Sequence, residues 1–127
     1  GSIDFLKEVK KMGFKMGLAT SSLESTAIPS LERIGIKSLF DAFVFGDHVE
    51  KGKPSPDIYL LAAKRLGIEP ESCLVFEDAL NGIKSAKSAG MRVIALNTND
   101  NEEKLVTENP EKIINNFEGV SVKSLVE

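Results

Sequence analysis

The sequence has few of the features that mark secreted, membrane-bound and nucleic-acid-binding proteins. Its single cysteine, Cys73, cannot form an internal disulfide framework. Sixteen basic residues against nineteen acidic ones give a net charge of −3, which leaves no basic field for nucleic acid. The longest apolar runs, such as residues 58–63, are too short to span a bilayer. These absences favour a cytoplasmic protein without nucleic-acid or membrane partners.

The residues that are present fit one α/β domain. A length of 127 residues with 42% hydrophobic content suffices for a single core, which we assign to residues 3–127 after a Gly-Ser pair that we interpret as an expression scar. Strands are predicted at residues 14–20, 42–46, 73–76, 92–96 and 112–115, and helices at 5–12, 21–35, 57–66, 79–90, 101–107 and from 121. This alternation predicts a doubly wound, three-layer fold with a parallel sheet.

Polar side chains follow the first three predicted strands. Thr20 ends the first strand, Lys53 lies in the loop after the second, and Glu77 and Asp78 end the third. Sheets of this class place ligands outside the carboxyl ends of their strands. We therefore expect these side chains to lie on one rim of the sheet.

The adjacent carboxylates Glu77 and Asp78 are candidate metal ligands. Both offer hard oxygen atoms, and Mg²⁺ usually takes one or two protein carboxylates while sharing its remaining positions with water and substrate phosphate. In an alternative interpretation, Asp78 caps the helix that begins at Ala79 and Glu77 is solvated. Taken alone, the pair favours the cap.

Lys53 is a candidate phosphate ligand. It lies in "GKPSP", where two prolines restrict the backbone and Gly52 permits a tight approach. A lysine in a stiffened loop can meet a phosphate as a point charge. The alternative is an ordinary exposed lysine beside a helix.

The hydroxyl-rich turn of Thr20, Ser21 and Ser22 is a candidate anion site. It follows a strand and precedes a helix, so hydroxyl groups, backbone N–H groups and the helix dipole would all favour an anion there. The alternative is that Ser22 simply caps the helix.

Three segments together resemble a known family. "LATSS", "GKPSPDIY" and "VFEDALNGIKSAKSAGM" are similar to motifs two, three and four of the haloacid dehalogenase-like superfamily, in particular its sugar-phosphate phosphatases and β-phosphoglucomutase-like proteins. The resemblance runs from about residue 3 to residue 97. It implies a Rossmann-like core and an enzyme that transfers phosphoryl groups.

The resemblance also implies a role for each site residue. Thr20 would hydrogen-bond the transferring phosphoryl group, with help from the backbone of Ser21 and Ser22. Lys53 would neutralise that phosphoryl group and the nucleophile. Glu77 and Asp78 would hold Mg²⁺, Asp78 more directly.

The family's first motif has no counterpart in this sequence. That motif is an apolar strand followed by D-x-D, which supplies the nucleophile and the acid. Asp4 precedes a helix, and neither Asp47 nor Asp57 is followed by a second aspartate two positions on. The helical cap, which this branch inserts between motifs one and two, is missing as well. We interpret the chain as the carboxy-terminal portion of such a protein, or as a natural remnant of one.

The missing motif-one strand is central in the family's sheet, between the strands that end at Thr20 and Phe76. Its loss exposes two interior edges with unpaired backbone groups. We expect the two strands to pair directly, or to accept a strand from an N-terminal segment or a second chain.

The resemblance thus implies a parent protein that is a Mg²⁺-dependent phosphohydrolase for a small phosphorylated metabolite such as a sugar phosphate, and the missing motif one leads us to expect this chain to be inactive alone. The alternatives are phosphoglucomutase-like phosphoryl transfer and a non-catalytic remnant or binding module. A receiver-type signalling domain uses similar groups, but in the order acids, phosphorylated aspartate, hydroxyl and lysine. The order here is hydroxyl, lysine and acids, which argues against a receiver domain.

Overall fold

Helices and strands alternate along the chain in a computed structural model that describes residues 2–98, 101–118 and 120–126. The strands are β1 (Gly17–Ala19), β2 (Ala42–Val44), β3 (Leu74–Glu77), β4 (Arg92–Leu96) and β5 (Lys112–Ile114). The helices are α1 (Ser2–Lys11), α2 (Glu24–Ile34), α3 (Asp57–Leu66), α4 (Leu80–Ser88), α5 (Glu102–Thr107) and α6 (Val122–Val126), and three short 3₁₀ turns cover Lys37–Leu39, Gly46–His48 and Pro70–Ser72. The predicted α/β class and element order are confirmed. Across the described ranges, no helix is long and apolar enough to cross a bilayer.

The strands form two parallel sheets. β1 pairs with β2 from Gly17 opposite Ala42 to Ala19 opposite Val44, and β4 lies between β3 and β5 in the second sheet. No backbone hydrogen bonds join β1 to β3, both of which the structure describes in full. The first of the alternatives, direct pairing of these two strands, is therefore wrong. The break lies where the resemblance leaves room for the motif-one strand, and its filling by another segment stays a prediction.

The larger core packs helices α3, α4 and α5 against one face of the strands. It includes Val44 of β2, Ile58 of α3, Val75 of β3 and Ile83 of α4, all buried. Burying an isoleucine completely contributes roughly 1.5–3 kcal/mol. Because this core contains residues from both sheets, side-chain packing rather than backbone pairing joins β1–β2 to β3–β5.

A smaller core covers the opposite face of β3–β5 with helices α1 and α6. Phe5 of α1 contacts Phe117 with ring centroids 4.6 Å apart and Phe76 of β3 at 5.4 Å. Ile94 of β4 and Leu125 of α6 complete this layer. Residues on successive positions of a strand point to opposite faces, which is why Phe76 enters this core while Val75 enters the larger one. The three-layer arrangement is confirmed.

The start of α2 differs from the sequence prediction. Leu23, not Ser22, occupies the N-cap position, and no side chain of the cap residue bonds to the helix. Instead, Oδ1 of Asp47, from the 3₁₀ turn after β2, accepts the backbone N–H of Glu24 at 3.1 Å. The interpretation of Ser22 as the cap is therefore wrong, because a distant carboxylate satisfies this end of the helix.

Replacing Asp47 with alanine should lower the free energy of unfolding by about 1 kcal/mol, the usual effect of losing a capping side chain. Chemical denaturation followed by circular dichroism would measure the change. Glu50→Ala, an exposed acidic residue of the same loop, is the control and should change stability by less than about 0.5 kcal/mol. Equal effects of the two substitutions would contradict the capping role of Asp47.

Candidate active site

Lys53 links the ends of two strands, β1 and β3. Its Nζ atom lies 2.8 Å from Oε2 of Glu77, at the end of β3, and 3.5 Å from the carbonyl oxygen of Ala19, at the end of β1. The Lys53 and Glu77 side chains are 12% and 8% exposed. The interpretation of Lys53 as an ordinary exposed lysine is therefore wrong. Its ammonium group bridges the gap between the two sheets at their carboxyl ends.

The loop that carries Lys53 is fixed at Ser55. The backbone N–H of Ser55 donates to the carbonyl of Gly52 at 3.0 Å. The carbonyl of Ser55 accepts the hydroxyl of Ser85, a completely buried residue of α4. An added Cβ on Gly52 would meet no protein atom within 4 Å, so the close approach of a ligand at Gly52 stays a prediction. The Ser55–Ser85 hydrogen bond, rather than a glycine contact, ties the loop to the core.

The Glu77 carboxylate is buried, and both of its oxygen atoms accept hydrogen bonds. Its Oε2 atom accepts hydrogen bonds from Lys53 and from the hydroxyl of Tyr59. Its Oε1 atom accepts the backbone N–H groups of Asp78 and Ala79, both at 3.2 Å. The alternative of a solvated Glu77 is therefore wrong. In this structure Glu77 anchors Lys53.

The surroundings of Glu77 keep it ionised. Burial by itself raises the pKa of Glu77, but the hydrogen bonds from Lys53 and Tyr59 and the charge of Lys53 outweigh burial and hold that pKa below its ordinary value. Burial and the adjacent Glu77 charge raise the pKa of Tyr59 far above its ordinary value. At neutral pH Tyr59 therefore stays protonated, and its hydroxyl donates a hydrogen bond to the charged carboxylate of Glu77.

Gly82 of α4 makes room for the Glu77 side chain. An added Cβ on Gly82 would lie 2.0 Å from Cδ of Glu77 and 2.4 Å from its Cγ. Any larger residue at position 82 would displace the carboxylate. An isolated glycine inside a helical pattern is the sequence signal that could have indicated this close approach.

Asp78 lies exposed at the rim beside the buried Glu77. Oδ2 of Asp78 is 3.4 Å from the hydroxyl of Thr98, in the segment after β4. The N-cap of α4 is Ala79, and no cap side chain bonds to that helix. The interpretation of Asp78 as the helix cap is therefore wrong, which leaves its carboxylate available to a ligand.

The site offers one protein carboxylate that could bind Mg²⁺. The part of the chain that the structure describes brings together no cluster of three histidine, cysteine, aspartate or glutamate residues suited to a metal. Because both oxygen atoms of Glu77 are engaged, Asp78 is the residue that would hold the ion. A site with one protein carboxylate and several waters suits Mg²⁺. The assignment of both Glu77 and Asp78 as ligands stays a prediction.

The Thr20–Ser22 turn is fixed by β2 and the turn that follows it. The backbone N–H of Thr20 donates to the carbonyl of Val44 at 3.0 Å, and that of Gly46 donates to the carbonyl of Ser22 at 2.8 Å. An added Cβ on Gly46 would lie 2.1 Å from the backbone oxygen of Ser21. The turn therefore depends on a glycine at position 46.

The Thr20 hydroxyl is suited to donate to an anion. Its oxygen accepts the backbone N–H of Ser22 at 3.2 Å, which leaves the hydroxyl hydrogen for another acceptor. Ser21 and Ser22 are exposed beside it. Thr20 directly follows Ala19, whose carbonyl contacts Lys53, so the Lys53 ammonium lies between the end of β1 that precedes Thr20 and the end of β3 that carries Glu77. The phosphate role of these three hydroxyl residues stays a prediction.

Comparison with known proteins identifies the family. Residues 1–96 match the haloacid dehalogenase-like hydrolase family over three quarters of the chain. The chain belongs to this family. The family assignment confirms the resemblance of motifs two, three and four.

Individual members of the family match most of the chain. A protein of Thermotoga maritima named phosphorylated carbohydrates phosphatase is 40% identical over 123 residues, which is 91% of this chain and 57% of that protein. The structure of a HAD hydrolase, family IA, variant 3, from Entamoeba histolytica has a TM-score of 0.90 and 32% identity, over 99% of this chain and 58% of that one. A β-phosphoglucomutase structure from Clostridium difficile has a TM-score of 0.82 and 29% identity, over 98% of this chain and 53% of that one. The chain therefore spans little more than half the length of these relatives.

Proposed function

We propose that the protein to which this chain belongs is a Mg²⁺-dependent phosphohydrolase for a small phosphate ester such as a sugar phosphate. The observation that carries the proposal is the half-buried Lys53, held between Glu77 of β3 and the carbonyl of Ala19, one residue before Thr20. A relative that is 40% identical to this chain is named a phosphorylated carbohydrates phosphatase, which supports this substrate class.

The charges at the rim support a requirement for a divalent cation. The positive charge of Lys53 is balanced by Glu77 at 2.8 Å, and Asp78 adds a further negative charge. A phosphate dianion approaching these groups alone would meet a net negative charge. A Mg²⁺ ion held by Asp78 would reverse that charge and neutralise phosphate oxygens. Thr20 and Lys53 would then orient the phosphate by hydrogen bonds.

The attacking group is the part of the reaction that we do not assign to this chain. The resemblance gives that role to the first aspartate of motif one, which the 127 residues lack. We therefore propose that this chain binds phosphate and Mg²⁺ but turns over no substrate by itself. Covalent catalysis would require the carboxylate supplied by the motif-one strand.

Phosphate release from p-nitrophenyl phosphate and from a panel of sugar phosphates would test the function. We expect no turnover by this chain, and Mg²⁺-dependent, EDTA-sensitive turnover by the protein extended with its own upstream coding sequence. In that longer protein Asp78→Asn should lower kcat/KM at least 100-fold, on the order of the loss of a major electrostatic group. Asp4→Asn, an exposed aspartate of α1, is the matched control and should leave kcat/KM unchanged. Turnover by this chain alone, or turnover insensitive to EDTA, would contradict the proposal.

Phosphoryl transfer within a sugar phosphate is the second candidate, supported by the β-phosphoglucomutase that matches 98% of this chain. A mutase returns an isomeric sugar phosphate and releases little inorganic phosphate. Phosphorus NMR of the products would separate the two reactions. Failure of the longer protein to convert any phosphate ester would favour a non-catalytic binding module instead.

A further inference from the structure

The buried Tyr59 contacts both members of the Lys53–Glu77 pair. Its hydroxyl donates to Oε2 of Glu77, the same oxygen atom that Lys53 contacts at 2.8 Å. Its ring lies below the ammonium group, with Nζ of Lys53 5.1 Å from the ring centroid. Tyr59 is 7% exposed and is the only tyrosine in the sequence.

These contacts set the direction of the one N–H group of Lys53 that is left to donate a hydrogen bond. An ammonium group has three N–H donors. One is used by Glu77 and a second by the carbonyl of Ala19 at 3.5 Å. With the Tyr59 ring below it, the third donor is left for a ligand. If Glu77 rotated, the ammonium group would rotate with it, and the third donor would lose its direction.

Tyr59 prevents that rotation from one side and the backbone prevents it from the other. The N–H groups of Asp78 and Ala79 hold Oε1, while the Tyr59 hydroxyl holds Oε2. A phenylalanine at position 59 would keep the ring in the core and remove the contact to Oε2 alone. The effect of the Tyr59 hydroxyl can therefore be measured separately from the effect of ring packing.

We propose that the Tyr59 hydroxyl is a positioning group that fixes the Glu77 carboxylate and thereby aims the Lys53 ammonium at the phosphate. This inference rests on the proposed function, because it names what sets the geometry of the same phosphate-binding group. The hydroxyl itself would contact neither phosphate nor metal. It acts through Glu77 on Lys53.

Tyr59→Phe in the 127-residue chain tests the inference with two measurements. The first is the NMR signal of the Lys53 ammonium group in ¹⁵N-lysine-labelled protein, which should shift and exchange faster with water in the variant. The second is calorimetric titration with inorganic phosphate in the presence of Mg²⁺, in which the dissociation constant should rise about 10-fold, the order expected for losing a hydrogen bond to a charged group. The dissociation constant for Mg²⁺ alone should stay unchanged.

Ile58→Val is the control for a purely structural effect. Ile58 is the fully buried neighbour of Tyr59 on α3, and its apolar side chain is not one of the hydrogen-bond donors to Glu77, so its truncation lowers stability and keeps those donors. It should leave the Lys53 signal and the phosphate affinity as they are. The inference is overturned if Tyr59→Phe leaves the Lys53 signal unchanged, or if both variants change it alike. A changed Lys53 signal in Tyr59→Phe supports the inference even if the wild-type chain binds no phosphate, a result that would count against the proposed function instead.

Discussion

Replacing Gly82 with alanine should lower the free energy of unfolding by about 2–3 kcal/mol, although alanine is the better helix former by about 1 kcal/mol. The reason is the Glu77 side chain, whose Cδ would lie 2.0 Å from the new Cβ. Glu77 cannot move aside cheaply, because Lys53, Tyr59 and two backbone N–H groups hold its oxygen atoms. Displacing it disrupts a buried ion pair, which costs more than the gain in helix propensity.

Chemical denaturation followed by circular dichroism would measure the effect of Gly82→Ala. Gly52→Ala is the matched control, because a Cβ there would meet nothing within 4 Å. It should change stability by no more than about 0.5 kcal/mol. A Gly82→Ala variant as stable as the wild type would show that Glu77 is free to leave its buried position.

Replacing Lys53 with methionine should lower the free energy of unfolding at pH 7 by about 3 kcal/mol. The substitution keeps an aliphatic side chain and removes the cation from a pair whose members are 12% and 8% exposed. Removing one partner of a buried pair leaves the other charge without compensation. Lys51→Met is the control, since Lys51 is exposed in the same loop and its loss should change stability by less than about 0.5 kcal/mol.

The pH dependence gives the Lys53 prediction a second measurement. The folded-state pKa of Glu77 lies below its ordinary value of 4.5. Burial raises this pKa, but the contacts with Lys53 and Tyr59 lower it by more. The stabilisation by Glu77 is therefore fully present above about pH 4.5 and is lost as the pH falls through the lower folded-state pKa. The stability difference between wild type and Lys53→Met should shrink as the pH falls below 4.5. A difference that is constant from pH 7 to pH 3 would contradict the ion pair as its source.

The strand ends could be predicted because their signals are local. Thr20 and Asp78 follow short apolar runs, and parallel strands place such positions at the same edge of a sheet. The roles of the two adjacent carboxylates could not be separated in the same way. Glu77 lies two residues after Val75 and so shares its buried face, whereas Asp78 lies beyond the strand and is exposed. That alternation was present in the sequence, but its meaning depends on knowing where β3 ends.

The contacts that fix Lys53 could not be predicted from any local pattern. Tyr59 and Ser85 lie on helices α3 and α4, and each looks like an ordinary core position in its own helix. Their hydroxyl groups find acceptors 18 and 30 residues away along the chain. Such contacts arise from the packing of one helix against another.

The sequence by itself determined the order of helices and strands and their parallel α/β arrangement, and it predicted a rim of hydroxyl, ammonium and carboxylate groups on which Lys53 and Glu77 are in contact. Hydrophobic periodicity and strand-end position are properties of short segments, so they can be deduced without the fold. Only the tertiary structure decided that Glu77 is buried as the partner of Lys53 while Asp78 is exposed, and that no backbone hydrogen bonds join β1 to β3. Those outcomes depend on which groups lose water when distant segments pack together, and an inward-facing carboxylate must take a cation and hydrogen-bond donors to remain charged.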